Sequence, residues 1–278
     1  MIANDRPPLD YDGERMVPER AHARTFWEHV GRYRFARRHA AGRRVLDVAC
    51  GEGYGAAALA KAGAREVVGV DLSEAACAHA RRKYGLDARA GDAQCLPLSD
   101  RSVDLVVSFE TIEHVARPAA FLDECARVLG PAGTLIVSTP NRPVYSGDGA
   151  SNPFHVVEFD RGEFLAALAG RFEDVALYTQ FPRSAGWWSP RSLAAERSPW
   201  LRVKGFWRLA STLCPALRAE VPAGLRGSAV DLILRDPPAV SAPFDPFIVR
   251  PYRESSREQP YYFVAVAGRA RPFAGASR

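Results

Sequence analysis

The stretch Val45-Leu46-Asp47-Val48-Ala49-Cys50-Gly51-Glu52-Gly53-Tyr54-Gly55 decides the fold. Its apolar first half reads as a buried strand, its glycines as a turn, and residues 55–62 as a helix. Glycine admits positive φ and lets a backbone come close to a ligand. A strand, glycine turn and helix in that order open the crevice where α/β sheets bind ligands. Working outward, residues 67–71, 88–92, 103–109, 134–139, 172–180 and 261–267 also read as strands. Helices are expected at 21–39, after a Ser73 cap, at 118–129 with proline in the first turn, and after the capping box Asp160-x-x-Glu163. Strands alternating with helices imply a doubly wound, mostly parallel sheet.

The chain has 278 residues, 47% hydrophobic and 25% charged, which excludes a disordered or fibrous protein. Four units are expected: an arm and helix (1–42), a ligand-binding core (43–181), an insertion that lids the acceptor side (182–258), and a last strand with a tail (259–278). A net charge of +5 with mixed signs permits a phosphorylated ligand without demanding nucleic acid. The cysteines at 50, 77, 95, 125 and 214 form no Cys-x-x-Cys pair, which suits reduced thiols in a cytoplasm. The first thirty residues show no secretory pattern, and no apolar run reaches the ~18 residues that span a bilayer.

Three aspartates fall at successive strand ends. Asp47 lies inside its strand, where a carboxylate is costly without a partner. It would repel a pyrophosphate and attract an ammonium group. Asp71 ends the second strand twenty residues after Gly51, in place to take two ribose hydroxyls. Asp92, in Gly91-Asp92-Ala93, is placed to accept from the amine of adenine. Gly51, Gly53 and Ala56 also satisfy a dinucleotide fingerprint, so an NAD-type oxidoreductase is an alternative.

A second constellation, Phe109-Glu110-Thr111-Ile112-Glu113-His114, follows the fourth strand. In a helical turn Glu110, Glu113 and His114 would share one face. After the fifth strand comes Asn152-Pro153-Phe154-His155. Histidine titrates near neutral pH, so His114 and His155, with Glu113 beside them, are the candidate catalytic groups for deprotonating an acceptor.

The order Asp47-x-x-Cys-Gly-x-Gly-x-Gly, Asp71, Gly91-Asp92-Ala93 and Phe109-Glu110 resembles the class I S-adenosylmethionine-dependent methyltransferases over about residues 43–180 and the final strand. The resemblance implies a Rossmann-like sheet of seven strands with the last antiparallel, and S-adenosylmethionine as donor with S-adenosylhomocysteine as product. It places Asp47, Ala49, Gly51 and Gly53 at the methionine end, Asp71 and Leu72 at the ribose, Asp92 and Ala93 at the adenine, and Phe109 and Glu110 beside the reacting centre. Residues 13–19, 108–114 and 152–155 are similar to a bacterial methyltransferase group of glycan and polysaccharide biosynthesis, which implies a sugar hydroxyl as acceptor. Glu110, Glu113, His114 and His155 also resemble the metal-binding set of small-RNA 2′-O-methyltransferases, a second alternative using a divalent ion. Within the insertion, residues 199–213 carry tryptophans and basic residues at near-helical spacing. That pattern suits either a pocket wall or contact with an anionic membrane surface.

Overall fold

Strand β1 (Arg44–Val48) stands at the centre of the fold. The computed structural model of the chain describes residues 16–18, 23–146, 152–180, 229–234, 249–254 and 260–270. The basic helix expected at 199–213, Glu14, Arg15 and Cys214 lie outside the described residues. β1 pairs in parallel with β2 (Glu66–Asp71) on one side and β4 (Val103–Phe109) on the other. β3 (Asp87–Ala90) extends the sheet past β2, and β5 (Leu129–Pro140) past β4, both in parallel. β8 (Tyr262–Ala270) then runs antiparallel between β5 and β6 (Phe172–Gln180).

The resemblance implied seven strands, and the described sheet has eight, in the order β3-β2-β1-β4-β5-β8-β6-β7. The addition is β7 (Val249–Pro251), which pairs with Tyr178, Thr179 and Gln180 at the outer edge. Three residues are too few for an alternating pattern to show in the sequence. The expected strand starts and ends otherwise shift by a few residues, most at β5, which begins at Leu129.

Period-two alternation sorts the side chains of β1. Val45 joins the apolar cluster on one face with Leu105 and Val107, and Leu46 and Val48 join the other with Phe121, Leu122 and Phe164. Asp47 therefore points to the same face as Val45. That face is covered by α1 (Ala23–Ala36) and α2 (Tyr54–Lys61), through Phe26, Val30 and Leu59. Each such fully buried side chain stabilises by about 1.5–3 kcal/mol. α3 (Glu74–Tyr84) starts as expected, with Ser73 Oγ accepting from Ala76 N at 3.3 Å. α4 (Pro118–Val128) and α6 (Arg161–Ala169) cover the opposite face, α6 opening on the Asp160–Glu163 capping box. A short turn, α5 (Arg142–Tyr145), follows β5.

One described part of the insertion lies against the core. Residues of α7 (Ala229–Leu234) pack in the core: Val230 and Ile233 belong to the cluster of Phe26 and Leu59, and Arg37 Nη1 donates to Leu234 O at 2.8 Å. An apolar face pressed on α1 and α2 explains why this segment joins the body of the fold.

Gly55 sits where α1 and α2 meet. A Cβ there would stand 2.0 Å from Cζ of Tyr33. Gly55→Ala should destabilise the protein by about 1–3 kcal/mol through overpacking. Urea unfolding with an unchanged midpoint would show that Tyr33 is not held against this helix.

Candidate active site

β1, β2 and β4 all end at one rim, where the strand order reverses between β1 and β4. The chain leaves β1 through left-handed conformations at Ala49 (φ 57°), Gly51 (φ 55°) and Gly53 (φ 86°), and leaves β4 through Glu110 (φ 53°). Such conformations at non-glycine residues are costly and cluster at functional sites. Between these turns lies a cavity of about 510 Å³.

Nine of the residues singled out in the sequence line it: Ala49, Gly51, Asp71, Leu72, Asp92, Ala93, Phe109, Glu110 and His114. Asp71 is buried, and its carboxylate accepts from Gly51 N at 2.8 Å and Ser73 N at 2.9 Å. Each carboxylate oxygen has a second lone pair for a hydroxyl. Leu72 is 81% exposed although apolar, as suits a side chain that covers the flat face of a base. Asp92 accepts from Gln94 N at 2.8 Å and holds the turn after β3. Gly53 makes room for packing instead: a Cβ there would stand 2.6 Å from Ala80 Cβ.

Asp47 lies inside β1, as its place in the sequence implies. It is fully buried and does not line the cavity. Tyr33 of α1 stands over it, its hydroxyl 3.1 Å from both carboxylate oxygens. Burial, and then the charge of Asp71, pushes the Asp47 carboxyl up to about 8 against the bonds from Tyr33 and the Ala56 backbone. Among the lining residues to which the sequence assigned no role are His29 and Tyr33 on α1 and Tyr54 on α2. Their signal was polar aromatics one turn apart on an otherwise apolar helix face.

At the other end of the cavity, one side-chain atom each from Glu113, His114 and His155 lie within 4.8 Å of one another. The segment after residue 152 is brought there by backbone bonds, with Val156 N and Val157 N donating to Glu113 O at 2.8 and 3.1 Å. Glu110 departs from the expected shared face. Its positive φ breaks any helical course, and its carboxylate instead accepts from Ser138 Oγ at 2.6 Å, with Arg32 Nη1 at 3.8 Å. His114 Nδ1 bonds Phe154 O at 3.0 Å, and His155 Nδ1 bonds Glu158 Oε1 at 2.8 Å. A carbonyl or carboxylate oxygen only accepts, so both Nδ1 atoms carry hydrogen, and the Nε2 of His155 in turn lies 3.0 Å from Asn152 Nδ2, an amide whose Oδ1 accepts from Phe154 N. Tyr145 stacks on His155 at 5.2 Å. Burial, then the neighbouring Glu110, pushes Glu113 well above the usual carboxylate range. Its Oε2 accepts from Thr139 Oγ1 at 3.3 Å, while Oε1 has no hydrogen-bond partner.

Residues 46–137 match a protein-family model described as a methyltransferase domain. A probable S-adenosylmethionine-dependent methyltransferase of Mycolicibacterium smegmatis is 44% identical over 165 residues, which cover 58% of this chain and 63% of that protein. A ubiquinone biosynthesis O-methyltransferase of Parvibaculum lavamentivorans is 38% identical over 104 residues, covering 36% of this chain and 41% of that one. The chain thus spans less than two thirds of these relatives. Among solved structures, an S-adenosylmethionine-dependent methyltransferase of Thermotoga maritima superposes with a TM-score of 0.55 at 17% identity, over 89% of this chain and 91% of that one. The fold is that of the class I methyltransferases, and within it residues 46–137 match the methyltransferase-domain family. The dinucleotide reading of Gly51, Gly53 and Ala56 is therefore set aside.

The lining fits that cofactor: carboxylates for the sugar and base, an exposed apolar side chain beside them, and an aromatic wall at the methionine end.

The raised carboxyl of Asp47 has a consequence for stability. A folded-state value above the ordinary carboxylate value near 4 contributes stability below that value, and the contribution is lost as pH rises through about 8. The unliganded protein should lose thermal stability between about pH 4 and 8 more steeply than Asp47→Asn. Parallel melting curves for the two proteins across that range would refute it.

Proposed function

We propose that the chain is an S-adenosylmethionine-dependent O-methyltransferase that receives its acceptor hydroxyl at Glu113, His114 and His155. The meeting of these three side chains beside the cofactor cavity, which His114 itself lines, carries the reading. When bound, the cofactor supplies an already activated methyl group, so the protein's work is positioning and proton removal. The acceptor oxygen gains the methyl group and gives up one proton. An imidazole Nε2 with its Nδ1–H fixed by an oxygen is set to take that proton. The Phe154 carbonyl orients His114 in this way, while His155 is held at both ring nitrogens, Nδ1 on Glu158 and Nε2 on Asn152 Nδ2, and braces the loop beside it.

For the acceptor we take a hydroxyl of a sugar, glycan or glycosylated metabolite. What supports this is the likeness of residues 108–114 and 152–155 to the glycan-methylating group. Exposed Phe154, next to His155, offers an apolar face to a sugar ring. The ubiquinone biosynthesis relatives are named for oxygen methylation, which supports a hydroxyl as the nucleophile.

A second reading is favoured by one observation, the unpartnered buried Oε1 of Glu113 near two imidazoles. These three groups, without Glu110, fit a divalent ion that would acidify the hydroxyl. Glu158 would then be the outer carboxylate that orients a ligating histidine.

His114→Ala should lower turnover about 10²–10⁴-fold while sparing cofactor affinity, and wild-type turnover would remove it as the base. Methyl transfer should be assayed on nucleotide-linked sugars, lipid-linked sugars and a catechol, with and without chelator. Transfer to sugars that survives chelation supports a histidine base. Activity lost to chelator and restored by a divalent ion supports the second reading. Transfer to the catechol alone would overturn the glycan acceptor. Separately, Asp71→Ala should weaken cofactor binding by about 1–3 kcal/mol, and unchanged affinity would remove Asp71 as the ribose partner.

A further inference from the structure

The methionine end of the cavity is walled by His29, Tyr33, Tyr54 and Phe109. The Tyr33 ring stands edge-on to Phe109, with centroids 5.0 Å apart, and to Tyr54 at 5.5 Å. Its one hydroxyl proton is shared between the two oxygens of Asp47, so the phenolic oxygen keeps its lone pairs. Burial, and next the Asp47 charge, raises the phenol well above its ordinary range, so Tyr33 stays protonated. His29 is held neutral by burial and by Arg32, and its Nδ1 lies 3.0 Å from the Tyr54 hydroxyl. Among the described residues, no lysine or arginine lines the cavity. This wall presents π electrons and one polarised oxygen, backed by a buried carboxyl that has no direct access to the ligand. Such a surface attracts a cation.

We propose that Tyr33, positioned by Asp47, recognises the positive charge on the donor's sulfur and thereby distinguishes the charged donor from the neutral thioether product. Asp47 is then a positioning residue that acts through Tyr33. The inference rests on the reading that S-adenosylmethionine is the donor. It extends that reading by assigning charge selectivity to a helix outside the glycine motif. Gly55 is part of the device, because only a residue without a Cβ leaves room for the ring.

The test is calorimetric titration of the full chain with S-adenosylmethionine, with S-adenosylhomocysteine, and with sinefungin, which carries an amine in place of the sulfonium. Wild-type protein that binds none of the three defeats the methyltransferase reading itself. If it binds them, Tyr33→Phe keeps the ring and removes the hydroxyl. Affinity for S-adenosylmethionine and sinefungin should then fall about 5- to 30-fold, and affinity for S-adenosylhomocysteine about 2-fold or less. Asp47→Leu removes the acceptor that positions the hydroxyl, so it should shift the same ratio and carries the test if Tyr33→Phe fails to fold. A purely structural role would weaken all three ligands equally. Equal losses, or none, in the folded variants would overturn the assignment, as would sinefungin following the thioether.

Discussion

A phenol proton shared by the two oxygens of a fully buried carboxylate ties helix α1 to the central strand. Asp47 occupies a position in β1 that period-two alternation sends into the α1–α2 face, among Val45, Leu105 and Val107. An unpartnered polar group there would cost several kcal/mol. The requirement for a partner fixes α1 in place, and with it His29 and the buried Arg32. Arg32 donates to Gln180 at 2.9 Å and lies over the Tyr262 ring at 4.6 Å, so α1 also joins β6 and β8. One polar position in a strand thus organises both the amino-terminal helix and one wall of the cavity.

The parallel half of the sheet was legible because its strands are covered on both faces. Val103–Phe109 is apolar at nearly every position, so its composition alone marked it, and Ser73 and Asp160 announced their helices by capping chemistry. β7 and α7 were not legible. A three-residue edge strand carries no periodicity, and the Val230 and Ile233 contacts of α7 depend on where a distant segment returns. Residues 182–258 read as a single insertion because rich Pro, Arg and Trp content masks such short elements.

In the site, sequence spacing located the residues better than it oriented them. His114 and His155 are forty-one positions apart, and the bonds from Val156 and Val157 to the Glu113 carbonyl, with that of His114 to the Phe154 carbonyl, bring them to a ring separation of 4.9 Å. Glu110 fits a helical i, i+3, i+4 pattern with Glu113 and His114, but a positive φ at the strand end turns it to Ser138. Asp47 was recognisable as a buried acid, yet its partner sits fourteen residues earlier on another element. Local pattern shows which groups need a partner, and tertiary packing decides which partner they get.

The two ends of the cavity are built from different kinds of backbone. The donor end rests on strand termini and the first turn of α2, where Gly51 N is held by Asp71 and shifts in position are resisted by the whole sheet. The acceptor end rests on a loop after β5, held by two hydrogen bonds to one carbonyl, by Ser146 Oγ on Glu158 at 2.5 Å, and by stacking of Tyr145 on His155. A loop of this kind can change length and side chains without moving the sheet, because few buried contacts cross to it. The chemistry common to the domain therefore sits on the rigid rim. Glu113 joins the two: its backbone carbonyl anchors the loop, and its side chain lies fully buried against Thr139 of β5. A residue with both tasks ties the position of that loop to the strand beside it.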